Sequence, residues 1–201
     1  MKLVSDTVKA FARNEWIYYY YTKIRCNLQK YIDDNFEATL ILDNGLWLGG
    51  ISSASNREAL HEHNIETIIS VVLGSVANFP YDFNYERADL RDTEDEDIIS
   101  EFYRIVPIIH EELSKGRATL VNCIWGKSRS ASIVCAYLIR YYNMTAEESI
   151  EFVKSKRSQV SPNSNYIRQL RQYEGEMRLE REIEKKISEE KKNFDEKITL
   201  Q

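Results

Sequence analysis

The chain is poor in cysteine. Cys26, Cys123 and Cys135 are the three among 201 residues. Their odd number and lack of metal-type spacing argue against a disulfide framework, and a reducing, intracellular compartment (cytoplasmic or nuclear) is expected. No apolar run approaches the ~20 residues that a bilayer-spanning helix needs. The amino terminus, MKLVSDTVKAFARNEW, has no apolar stretch leading to a small-residue cleavage site, so no signal peptide is expected. A basic excess is also missing: 27 Lys and Arg stand against 32 Asp and Glu, for a net charge of −5. That balance gives no reason to expect a nucleic-acid or membrane partner. There is no internal repeat. The 43% hydrophobic content and the length suit one compact domain with some appended helix.

Residues 1–37 read as one or two helices, with Phe11, Ile17, Tyr21, Ile24, Leu28 and Ile32 at mostly helical spacing. The tyrosines at 18–21 read as aromatics wrapping that helix against the core or a partner. ATLILDNGLWLGG (38–50) predicts a hairpin whose apolar runs flank Asp43-Asn44-Gly45, Asn-Gly being a dipeptide that tolerates the positive φ of a tight turn. A short helix with serines available as caps follows over 52–64. Buried strands are predicted at 65–72, 84–90 and 118–123, and helices at 98–115, ending at Gly116, and at 129–142. Thr145 and Glu148 form a capping box for a helix to about 158, and a last helix starts near Asn163-Ser164. Strands alternating with helices predict an α/β fold with a mostly parallel central sheet flanked by helices. In such sheets ligands sit beyond the carboxyl ends of the strands.

One such end is VNCIWGKSRSA, Val121 to Ala131. A strand running into a tight turn and then a helix leaves backbone N–H groups pointing into a concavity, with the helix dipole adding positive charge. The turn is a phosphate-binding loop over Ile124, Trp125, Gly126, Lys127, Ser128 and Arg129. Gly126 lets the backbone curl, and Arg129 can grip two phosphate oxygens with its fork. Cys123 sits under the anion, where the same field favours thiolate and places a nucleophile beneath phosphorus. Ser130 is placed to hydrogen-bond the sulfur. The leaving oxygen needs a proton, and Asp92 at the end of the neighbouring strand is the candidate acid, with Asp95 and Asp97 as fallbacks. Trp125 either stacks on a substrate ring or packs under the neighbouring loop.

These motifs resemble the dual-specificity branch of the cysteine-dependent protein phosphatases, whose signature is Cys-x5-Arg. LWLGGISSASNREALHEHNIETIISVV resembles the opening of that family's catalytic domain, and LRDTEDEDI its general-acid loop. SIVCAYLI resembles the helix after the phosphate loop. SPNSNYIRQLRQYE resembles the closing helix, with Asn163 where the family braces the loop. The resemblance covers roughly residues 38–174. It implies hydrolysis of phosphotyrosine and phosphoserine or phosphothreonine through a phosphocysteine, with no metal and no cofactor. The organisation expected from it is a helical extension at 1–37, a catalytic domain at 38–174 and a charged helical extension at 175–201, where Leu179, Ile183 and Ile187 offer a thin stripe for a homodimer.

Asn122 departs from the family, which usually has His before the nucleophile. An asparagine amide can hydrogen-bond but carries no charge, so a weaker thiolate is expected. Two alternatives stand beside the phosphatase reading: a phosphoprotein-binding module with little turnover, and a phosphoinositide or RNA 5′-phosphatase. Lys127 matches a phosphoinositide-directed relative. The carboxylates at 92, 94, 95, 96 and 97 and the Arg-Ser sequence oppose that last reading.

Overall fold

The computed structural model describes residues 16–21, 23, 24 and 36–199. Cys26 and most of the predicted amino-terminal helix lie outside them. Five strands form one sheet in the order β1-β2-β5-β3-β4: β1 Thr39–Leu42, β2 Leu46–Gly49, β3 Ile65–Val71, β4 Asn84–Ala88 and β5 Ala118–Asn122. Only β1 and β2 pair antiparallel; β2–β5, β5–β3 and β3–β4 are parallel. β3 and β5 read as continuous apolar runs because both of their faces are covered.

From residue 36 onward the described residues form five α-helices: α1 Arg57–Glu62, α2 Ile99–Ser114, α3 Arg129–Tyr142, α4 Ala146–Lys156 and α5 Ser164–Thr199. One sheet face packs on α2 and α3, with Ile69, Val71 and Val121 against Phe102, Ile105, Val134 and Leu138. α3 is the middle of that layer and is buried from Arg129 through Ile139. The opposite face carries a smaller cluster of Leu60, Ile65, Ile68, Phe83 and Leu120.

Local signals explain most boundaries. Thr145 and Glu148 form the reciprocal capping box that opens α4. Gly116, at φ +76°, ends α2 by donating to Leu113 O while Arg117 N–H returns to Glu112 O.

The hairpin turns where expected, at Asp43 to Gly45 between the paired Leu42 and Leu46, and of these three Gly45 takes the positive φ, +97°. Two expectations need correction. No serine caps α1. Asn56 does, its side-chain oxygen accepting from Ala59 N–H, while Ser53–Ser55 form a separate 3-10 turn. Finally, β4 is not beside β5. β3 lies between them, so the strand order alone does not deliver Asp92 to Cys123.

α5 does that. Its first turns staple the acidic loop: Gln169 Oε1 accepts from Ile98 and Ile99 N–H, both at 2.9 Å. Asn165 Nδ2 and Gln169 Nε2 donate to Glu96 O at 2.7 and 2.8 Å. Tyr166 OH donates to Arg91 O. Downstream, α5 continues unbroken through residue 174. Tyr173 and Met177 are buried, and Glu180 pairs with Arg140 at 3.1 Å. Leu179, Ile183 and Ile187 are about half exposed. Among the described residues no helix is long and apolar enough to cross a membrane.

Candidate active site

β5 ends at Asn122 and α3 begins at Arg129, so the predicted turn lies between them at the carboxyl end of the central strand. The tight curl depends on Gly126, which has φ +66°. A Cβ there would lie 2.6 Å from both the carbonyl carbon and oxygen of Gly49. Gly126→Ala should therefore displace the loop. A misplacement of this kind costs on the order of 100-fold in turnover, and left-handed strain adds about 1–3 kcal/mol of instability. Steady-state kinetics beside thermal unfolding checks this, and unchanged kcat/KM would show that the loop tolerates the shift.

Cys123 is 2% exposed at the base of the turn. Its sulfur accepts from Gly126 N–H at 3.2 Å and from the Ser130 hydroxyl at 3.2 Å. Burial is the largest influence on the thiol and pushes its pKa up. The Arg129 charge and the hydrogen bonds from the Ser130 hydroxyl and N–H outweigh it, and the pKa falls below the ordinary cysteine value. Cys135 is the contrast. It is equally buried but lies within α3, and burial pushes its thiol up to about 12.

Arg129 is 2% exposed. One terminal nitrogen donates to Leu90 O at 3.1 Å. Its Nε finds no hydrogen-bond partner among the described residues. A buried guanidinium N–H left open costs free energy unless an acceptor arrives, and a phosphate oxygen is such an acceptor. The N–H groups of Ile124, Lys127 and Ser128 likewise donate to no backbone carbonyl among the described residues.

Asp92 is the carboxylate that meets this loop. Its Oδ1 accepts from Ser128 Oγ at 2.7 Å and Asn163 Nδ2 at 2.8 Å, and its Oδ2 lies 3.8 Å from Arg129 Nε. Asn163 also donates its backbone N–H to Ser128 Oγ at 3.2 Å, so it links the segment at Asp92 to the turn between β5 and α3. Of the fallback acids, Asp97 accepts from Ile99 N–H at the start of α2, and Asp95 is exposed in a surface cleft with Arg168.

The comparisons with known proteins now bear on this geometry. Residues 46–176 match the model of the dual specificity phosphatase catalytic domain. The chain belongs to that family. It is 38% identical to dual specificity protein phosphatase 1 of Arabidopsis thaliana over 149 residues, covering 74% of each chain. It is 32% identical to dual specificity protein phosphatase 1B of the same plant, covering 74% of this chain and 88% of that one. Among solved structures, the human tyrosine phosphatase-like serine/threonine/tyrosine-interacting protein superposes with a TM-score of 0.67 at 32% identity, over 70% of this chain and 97% of that one. The chain is accordingly a dual specificity protein phosphatase, with a phosphoprotein as substrate.

Within this phosphatase the remaining expected residues fall as follows. Trp125 is 48% exposed, so about half of it is open to solvent at the edge of the turn. Lys127 is exposed, and its carbonyl accepts from Ser161 N–H at 2.9 Å. Asn122 is buried and faces β3, where its side-chain oxygen accepts from Ser70 Oγ at 3.0 Å. Cys123 N–H donates to Gly49 O at 3.4 Å.

Two residues escaped the sequence reading. Arg157, at the end of α4, is 8% exposed and lies behind the loop. It donates to Gly126 O at 3.2 Å and Trp125 O at 3.3 Å, and it reaches Glu37 O and Thr39 Oγ1 at the start of β1. Collecting the loop carbonyls at the back leaves the N–H groups to face forward. KSKRS reads as a basic helix end, and nothing local marks which cation turns inward. The other residue is Tyr18, whose hydroxyl accepts from Asp92 N–H at 3.0 Å.

Proposed function

We propose that Cys123 is the nucleophile of a two-step phosphoryl transfer. The thiolate attacks phosphorus, an S–P bond forms, and the ester P–O bond breaks. Asp92, as the carboxylic acid, gives its proton to the departing phenolate or alkoxide. In the second step Asp92, now carboxylate, takes a proton from water as that water attacks the phosphocysteine. Inorganic phosphate leaves and the thiolate returns, stabilised by Ser130. Arg129 and the loop N–H groups, from Ile124 to Arg129, hold the three equatorial oxygens throughout. The observation that carries this reading is the sulfur of Cys123 at 3.2 Å from two donors, beneath a buried arginine whose Nε is open. Hydrolysis of a small aryl phosphate in excess chelator tests it. Turnover that persists with chelator supports the scheme, and turnover restored only by added metal contradicts it.

The substrates proposed are phosphotyrosine together with phosphoserine and phosphothreonine. Carboxylates at 92, 94, 95, 96 and 97 flank the cleft and repel polyanions such as phosphoinositides or RNA. We assign residues 38–174 as the catalytic domain, with 1–37 and 175–201 as extensions of it. We place the enzyme inside the cell, cytoplasmic or nuclear. A homodimer through the half-exposed Leu179, Ile183 and Ile187 is the oligomer proposed.

The thiolate has a pH signature. The reactive form is deprotonated, so kcat/KM rises as pH passes upward through the Cys123 pKa. Ser130→Ala removes a hydrogen bond that favours the thiolate, and the acidic limb should move to higher pH. Asn122→His adds a chargeable ring before the nucleophile, and the limb should move to lower pH. Profiles with one aryl phosphate, beside iodoacetate alkylation of Cys123, read both shifts. A limb unmoved in Ser130→Ala would show that this hydroxyl does not hold the sulfur.

A further inference from the structure

Residues 16–21 are helical and lie over the mouth of the cleft. Trp16, Tyr20 and Tyr21 are exposed, whereas Tyr18 and Tyr19 are half-buried. Two contacts fix the segment. The Tyr18 hydroxyl accepts from the backbone N–H of Asp92 at 3.0 Å. The Tyr19 ring lies over Gly74 so closely that a Cβ there would fall 2.4 Å from Tyr19 Cε2. Between the helix and the body runs a groove of about 590 Å³, with Trp16, Tyr20 and Lys23 on one wall and Leu73, Asp89 and Arg91 on the other.

The position of Tyr18 is chemically specific. Burial is the main reason its phenol pKa is raised, and Arg129, Asp92 and Cys123 all act on it electrostatically. Its hydroxyl bonds the backbone of Asp92, whose carboxylate lies 3.8 Å from Arg129 Nε, so it stands in the same cleft as the nucleophile, the phosphate-gripping arginine and the acid. A phosphotyrosine substrate would bring its phenolic oxygen to that place, next to the residue that protonates it.

We propose that the tyrosine helix is a built-in occupant of the phosphotyrosine cleft, with Tyr18 standing in the place of the substrate's phenol. This rests on the phosphatase mechanism given above. The helix competes with an external substrate and is displaced by it. Competition within one chain multiplies the apparent KM and leaves kcat alone, because saturating substrate wins.

The test uses the full-length chain with para-nitrophenyl phosphate. Tyr18→Ala should lower KM by about 5- to 10-fold, the worth of one hydrogen bond with some ring burial, and leave kcat within about 2-fold. Gly74→Asn should act the same way without touching Tyr18. Asparagine tolerates the φ of +71°, and its Cβ evicts the Tyr19 ring. Tyr18→Phe, which keeps the ring, should fall between the intact chain and Tyr18→Ala. A second readout needs only access to the sulfur: iodoacetate should alkylate Cys123 faster in Tyr18→Ala by a similar factor.

An unchanged KM and alkylation rate in Tyr18→Ala would overturn the proposal while leaving the phosphatase mechanism intact. So would a raised KM, which would make Tyr18 a contact for the substrate and not its rival. If no protein turns over, the mechanism has failed, and faster alkylation in Tyr18→Ala still shows the cleft to be occupied by its own helix.

Discussion

Cys123→Ser is expected to lower kcat/KM by on the order of 10⁵-fold, as removing a covalent nucleophile does, and to leave phosphate or vanadate binding within a few-fold of the intact protein. The two effects separate because different groups carry them. In the mechanism proposed, anion binding depends on Arg129 and on loop N–H groups without backbone acceptors among the described residues, and bond making depends on the sulfur. A serine hydroxyl at that position is not ionised by the same surroundings. Cys135→Ser is the matched control. That thiol sits in α3, is pushed up to about 12 by burial and should have no part in turnover. Turnover of Cys123→Ser at the intact rate would remove the covalent mechanism. An intact protein that binds phosphopeptide and hydrolyses nothing would make the fold a recognition module.

The second large effect belongs to Asp92. Asp92→Asn should slow hydrolysis of a phosphotyrosyl or phosphothreonyl peptide by about 10²–10⁴-fold, the range of a lost general acid. An activated nitrophenyl ester should suffer much less, because its leaving group needs little protonation. The asparagine amide still fits between Ser128 and Asn163, so the loop keeps its place and the loss reads as chemistry. Equal slowing across leaving groups would point to a positional role. A larger loss in Asp95→Asn would move the acid elsewhere, although Asp95 lies exposed beside Arg168.

The sequence revealed most where one residue type is forced by local chemistry. Gly126 is required at φ +66° against Gly49, and a glycine in a strand–turn–helix context says so before any coordinates. Thr145 with Glu148, and Gly116 after an apolar helix, declare their caps for the same reason. The turn from Cys123 to Arg129 was legible because its residues are consecutive.

What sequence did not disclose depends on contacts between distant segments. The nearness of Asp92 to the turn was legible, but for an incomplete reason. β3 separates its strand from β5, and Asp92 reaches the loop because Asn163, Asn165, Tyr166 and Gln169 of the closing segment hold residues 91–99. Arg157 looks like any cation at a helix end, until the fold brings Thr39, 118 positions away, beside it. Tyr18 belongs to an aromatic run that fits packing equally well, and only its 3.0 Å contact with Asp92 distinguishes it. The caps of α1 show a smaller version of the same limit. Three serines and one asparagine precede the helix, and the backbone angle at Asn56 decides among them.

The most direct test of the mechanism is to trap the phosphoenzyme. A labelled phosphotyrosyl peptide is mixed rapidly with the intact protein, quenched in denaturant within the first turnover, and digested for mass spectrometry. The mechanism requires a transient phosphate on Cys123, absent in Cys123→Ser and longer-lived in Ser130→Ala, where the sulfur leaves less readily. Full product release with no covalent phosphate at any time point, or label on a residue other than Cys123, would contradict it.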